Sequence, residues 1–137
     1  MKRLVLDTNV LVSAIVFGGV TETILGYVQT RKVVGVTSPA LIEELLRVLR
    51  QKFGLPDDML AVIRRKMSRV FTIVVPQERL AILKDAPDNR VLEAALEGHC
   101  DAIITGDKKF LDLAIFREIA ILSSRQFYDL YHRDFET

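Results

Sequence analysis

KRLVLDTNVL, residues 2–11, decides how the rest of the chain is read. Leu4, Val5 and Leu6 form an unbroken apolar run. That is the pattern of a strand buried on both faces, whereas a strand with one wet face alternates. Asp7, Thr8 and Asn9 then put three small polar residues in a row, and Val10, Leu11 and Val12 resume the apolar pattern. A carboxylate at the carboxyl end of a buried strand stands where open parallel sheets form their sites.

Moving outward, the chain alternates strand-like and helix-like segments. Residues 10–17 and 21–30 read as helices split by Gly18-Gly19, with Thr21 as an N-cap. Val33, Val34 and Val36 mark a second strand. Ser38-Pro39 then gives a strong helix start, and the helix runs to about Lys52, before Gly54. Asp57 or Asp58 caps a helix reaching about Val70, and Phe71 to Val75 is a third strand. Asp85 and Pro87 open a helix ending near Gly98. Ala102 to Thr105 is a fourth strand and Ile119 to Leu122 a fifth, and Ser123 or Ser124 caps a last helix. Apolar strands joined by helices predict right-handed crossovers and a three-layer α/β/α sandwich with a parallel sheet. No repeat, low-complexity tract or long linker divides residues 1–137, so the expectation is a single domain.

Composition narrows the function classes. The formal net charge of +1 excludes a strongly basic whole-protein field, and 50% hydrophobic residues exclude a disordered chain. Cys100 is the one cysteine, so no internal disulfide can form, and it reads as a small core residue. The longest apolar stretch, Val10 to Val20, is interrupted and too short to span a bilayer. The expectation is a cytoplasmic protein with no membrane association.

Two carboxylates follow buried strands: Asp7 after the first and Asp107, in AIITGD, after the fourth. Each is also a natural cap for the helix behind it. Asp88 adds independent weight. Val91, Leu92 and Ala95 lie three, four and seven residues after it, so Asp88 shares the apolar face of its helix and points toward the sheet. Asn89, Arg90, Glu93 and Glu97 fall on the other side, and Asp85 reads as the structural cap. In the helix after Ser38, Glu44 lies beside Leu41 and Val48, while Glu43 lies beside Arg47 and Arg50 in a surface ion-pair row. Periodicity favours Glu44 only slightly. Like charges ~4 Å apart repel by about 4 kcal/mol at an effective dielectric of ~20. Four inward carboxylates therefore call for protons or divalent cations. Hard oxygen donors without a His or Cys cluster indicate Mg²⁺ or Mn²⁺, the apparatus of phosphodiester hydrolysis.

LDTNVLVSA, SPALIEEL, DNRVLEAAL and DAIITGDKKFL together resemble the PIN-domain nucleases, over nearly the whole chain. The likeness is to the bacterial and archaeal branch of toxin components of toxin–antitoxin systems, the VapC group. It implies a five-stranded parallel sheet in the order 3-2-1-4-5 and a Mg²⁺- or Mn²⁺-dependent endoribonuclease acting on single-stranded RNA. It further implies Asp7, Glu44, Asp88 and Asp107 as the catalytic, metal-binding acids, with Glu44 chosen over Glu43. Thr8, Asn9 and Thr105 match positions that orient carboxylates or water. An antitoxin partner and a homodimer are implied in the same way.

Arg47, Arg50, Lys52, Arg64, Arg65, Lys66 and Arg69 cluster on two neighbouring helices, and a solvated helix face explains most of them as well as RNA does. No residue is assigned to RNA contact. A non-catalytic PIN-fold module that binds RNA or protein would predict broken acidic positions, and none is evident. An aspartyl-phosphate phosphatase needs a second aspartate where this chain has Asn9, and a receiver domain needs its aspartate at the end of a mid-chain strand.

Overall fold

The computed structural model describes residues 1–136. β1 (Arg3–Leu6) is followed by α1 (Thr8–Val16), α2 (Val20–Gln29), β2 (Val34–Thr37), α3 (Pro39–Phe53), α4 (Asp57–Val70) and β3 (Thr72–Ile73). Then come α5 (Ala86–Glu97), β4 (Ala102–Ile104), α6 (Lys108–Leu111), β5 (Ile115–Phe116), β6 (Ile119–Leu122) and α7 (Ser124–Phe135). The sheet runs in the order β3-β2-β1-β4-β6-β5, parallel except for the antiparallel β5–β6 pair.

This is the expected α/β/α sandwich with one extra edge strand. The five strands read from sequence are all present in the order 3-2-1-4-5, and β5 is added beside the last of them. β5 and β6 pair Phe116 with Ile119 across a two-residue turn in which Arg117 and Glu118 both have positive φ, 45° and 69°. Such turns match strand twist but normally carry Asn or Gly. Arg-Glu gives no turn signal, so the hairpin is silent in the sequence.

The apolar runs pack both faces of the sheet. Leu4, Leu6, Ala102 and Ile104 face a core built with α1, α2, α3, α4 and α7. Val5, Val36, Ile103 and Ile121 face a second core with Val91, Leu92 and Ala95 of α5 and Phe110 of α6. Cys100 is buried in this second core, and burial pushes its thiol up to about 12. Gly35 sits where the first layer closes most tightly: a Cβ there would lie 2.6 Å from Val28 and 2.7 Å from the Phe71 ring.

Helix ends follow the sequence signals with a few corrections. Ser38 Oγ accepts from the Leu41 N–H, and Gly54 closes α3 in the left-handed conformation. The N-cap of α2 is Gly19, with Thr21 two residues beyond it in the first turn and bonded to the Gly18 carbonyl. Pro56 occupies the N-cap of α4, which places Asp57 and Asp58 in its first turn, where they complement the helix dipole. No single described helix is long and apolar enough to cross a membrane, and α1 and α2 meet at 99° across the two glycines.

Candidate functional site

Three aspartates reach the same edge of the sheet from three elements. β1 lies between β2 and β4 with all three parallel, so the residues after β1 and β4 emerge together at the carboxyl edge. Asp7 follows β1, its backbone N–H still bonded to the Ile104 carbonyl of β4 at 2.9 Å. Asp107 is the third residue after β4. Asp88 comes from the first turn of α5.

Thr105 ties two of these together. Its hydroxyl donates to Asp7 Oδ2 at 2.7 Å and accepts from the Asp107 N–H at 3.1 Å. Asp7 Oδ1 meanwhile accepts from the Thr8 N–H at 2.7 Å, and Asp107 Oδ1 accepts from the Lys109 N–H at 3.0 Å. The capping role and the convergent role therefore coexist: each aspartate caps its own helix and still faces the others.

The charges are crowded. Burial raises the Asp7 carboxyl above its usual range, against the pull of the Thr105 and Thr8 hydrogen bonds, and Asp107 and Glu44 raise it further. Asp88 is pushed up to about 6, first by burial and then by the charges of Asp7, Asp107 and Asp85. Carboxyl groups in this state are stabilised by protons or by a cation. The donors are carboxylate oxygens throughout, which fits a hard divalent ion.

A sequence model of the PIN domain matches residues 3–109. The chain belongs to the PIN-domain family. An uncharacterized protein, MJ1680, of Methanocaldococcus jannaschii is 32% identical over 117 residues, covering 81% of this chain and 74% of that protein. A chain in the crystal structure of VapBC2 from Rickettsia felis, bound to a DNA fragment from their promoter, superposes with a TM-score of 0.60. That match covers 87% of this chain and 96% of the other at 15% identity, and shows a shared PIN fold.

Within this PIN fold the other expected residues behave differently. Glu44 is half-buried at the rim, both of its oxygens held by Arg47 at 2.7 and 3.2 Å. Its charge reaches Asp7 only as the smallest of the influences there. Glu43 does not join Arg47 and Arg50; it is held by Arg64 of α4, while Arg50 pairs with Asp57. These pairs line a groove of about 400 Å³ between α3 and α4 that contains none of the three aspartates. A smaller cleft of about 210 Å³ lies between α3 and α5, lined by Glu44, Ala86, Pro87 and Arg90 among others. Thr8 is buried, and Asn9 is exposed.

Two readings of α5 are corrected. Asn89 and Glu93 do not face solvent; they are 4% and 5% exposed. The Asn89 amide holds the preceding loop: its oxygen accepts from the Ile82 and Leu83 N–H groups, and its nitrogen donates to the Leu83 and Asp85 carbonyls. Glu93 accepts from the Leu80 N–H and pairs with Arg90, which donates to the Leu80 carbonyl. Asp85 is a cap by position alone. It occupies the N-cap position but makes no side-chain cap bond, and one of its carboxylate oxygens lies within 4.8 Å of one from each of Asp88 and Asp107. The signal for this was the density of polar groups in DAPDNR at a helix start. Helical periodicity could not resolve it, because the loop that covers that face has no period of its own.

Proposed function

We propose that this chain, taken as one unit over residues 1–137, is a Mg²⁺- or Mn²⁺-dependent endoribonuclease that hydrolyses phosphodiester bonds of single-stranded RNA in the cytoplasm. The observation that carries the reading is the convergence of Asp7, Asp88 and Asp107 at the carboxyl edge of a PIN-family sheet. These three would hold the ion. Glu44, whose two oxygens are held by Arg47, would join them on giving up that pair. A divalent ion held there would supply positive charge for a phosphodiester oxygen and lower the pKa of a bound water.

The protein's own groups do the positioning. The Thr105 hydroxyl fixes one Asp7 oxygen, and the Thr8 N–H fixes the other, so the carboxylate cannot rotate away. Lys108 and Lys109, both exposed beside Asp107, place positive charge where an RNA backbone would lie. The VapBC2 neighbour suggests that the nuclease is the toxin of a toxin–antitoxin pair, held by an antitoxin protein. A homodimer belongs to the same reading. Light scattering at high micromolar concentration should then show twice the chain mass.

Cleavage of a single-stranded RNA oligonucleotide tests the activity. It should require Mn²⁺ or Mg²⁺ and stop in EDTA. Binding of the oligonucleotide without cleavage in either metal would instead identify a non-catalytic PIN module.

A further inference from the structure

We propose that Asp85 is an additional metal-binding carboxylate of this site, presented to it by Asn89. The inference rests on the metal-dependent reading above and adds a residue to it. An aspartate at an N-cap ordinarily accepts a hydrogen bond from its own helix, as Asp7 and Asp107 do. Asp85 forgoes that bond and sets one oxygen within 4.8 Å of one from each of Asp88 and Asp107. In the absence of a cation this placement only adds repulsion.

The placement is also built. The Asp85 carbonyl accepts from the Asp88 N–H at 3.1 Å and from Asn89 Nδ2 at 3.4 Å. The Asn89 amide spends its two donors and two acceptor positions on the segment from Ile82 to Asp85. That amide is buried, and Arg90 and Glu93 fasten the same loop at Leu80. An exposed loop acid has no need of such anchoring. A ligand that must stand beside Asp107 gains from it, because these bonds fix the Asp85 backbone from which the carboxylate projects.

The test is calorimetric titration of the full chain with Mn²⁺ alone. Asp85→Asn keeps the side-chain size and remains a good N-cap residue, so the start of α5 persists. Its Mn²⁺ affinity should fall roughly tenfold or more, with an unchanged circular dichroism spectrum and an equal or higher metal-free melting temperature. Asp85→Glu should recover part of the loss, and Asp85→Ser repeats the test if the asparagine variant misfolds. Asp134→Asn, the same charge change on exposed α7, should bind as wild type. Wild-type affinity in Asp85→Asn, with binding lost in Asp88→Asn, would overturn the role of Asp85 and leave the metal reading standing. An equal loss in Asp134→Asn would reduce the effect to net charge and overturn it too. A wild type that binds no Mn²⁺ would remove both.

Discussion

Asp88 is the residue whose chemistry is most exposed to test. Its carboxyl is raised from 3.8 to about 6 by burial and by neighbouring acids. A group with a raised folded pKa helps the fold while protonated, and that help is lost as pH rises through the folded value. In EDTA, the melting temperature of the wild type should therefore fall between about pH 4 and 6 relative to Asp88→Asn, which lacks this loss. The same variant should lose nearly all RNA cleavage while staying folded. Parallel melting profiles of the two proteins across that range would contradict the crowding of Asp88. Glu43→Gln should leave cleavage nearly unchanged and cost at most about 1 kcal/mol, since its partner Arg64 is an exposed surface pair. Glu44→Gln should impair cleavage. The reverse result in an RNA assay would exchange the two assignments. Asp7, Asp88 and Asp107 were legible in the sequence because each follows a feature with its own signal: a buried run, a helical face, a strand end. Asp85 was not, because a helix start already explains an aspartate, and the polar density of DAPDNR alone does not separate a second role from the first.

At the scale of elements, the tight places are those the sequence marks least. Gly35 in β2 leaves no room for a methyl group between Val28 and Phe71. Gly35→Ala should cost about 1–3 kcal/mol in urea denaturation, as overpacking does. The β5–β6 turn carries the opposite opportunity. Glu118 has φ of 69°, and Glu118→Gly should gain roughly 0.5–1 kcal/mol by relieving a conformation that side chains disfavour. A loss of stability would show that the Glu side chain contributes more than its strain. Strands β1, β2, β4 and β6 and helix α3 could be read directly, because apolar runs and Ser-Pro caps report burial and boundaries. The hairpin and the buried polar side of α5 could not. Both depend on what a loop does in three dimensions, and loops carry no periodicity.

For the molecule as a whole, site and sheet share one geometry. β1 is central, so the strand order reverses around it, and the acids gather at that reversal. A cation that binds there binds the folded chain alone. At about 100 times its dissociation constant it should stabilise by roughly 2.7 kcal/mol, or several degrees in a domain this size. Thermal melts in EDTA and in millimolar Mn²⁺ check this, and equal midpoints would mean the acids do not act together. The caps of α1 and α6 carry a further consequence, for descent. Asp7 and Asp107 each hold a helix start as well as a charge, whereas Asp88 holds no cap. A lineage in which these acids no longer hold an ion is free to change position 88 to almost anything that packs. At 7 and 107 the favoured replacements are Asn, Ser or Thr, residues that still accept the helix N–H groups. Retired nucleases of this fold should therefore carry small polar remnants at two positions and drift at the third, a pattern that tells lost catalysis apart from a site that never existed.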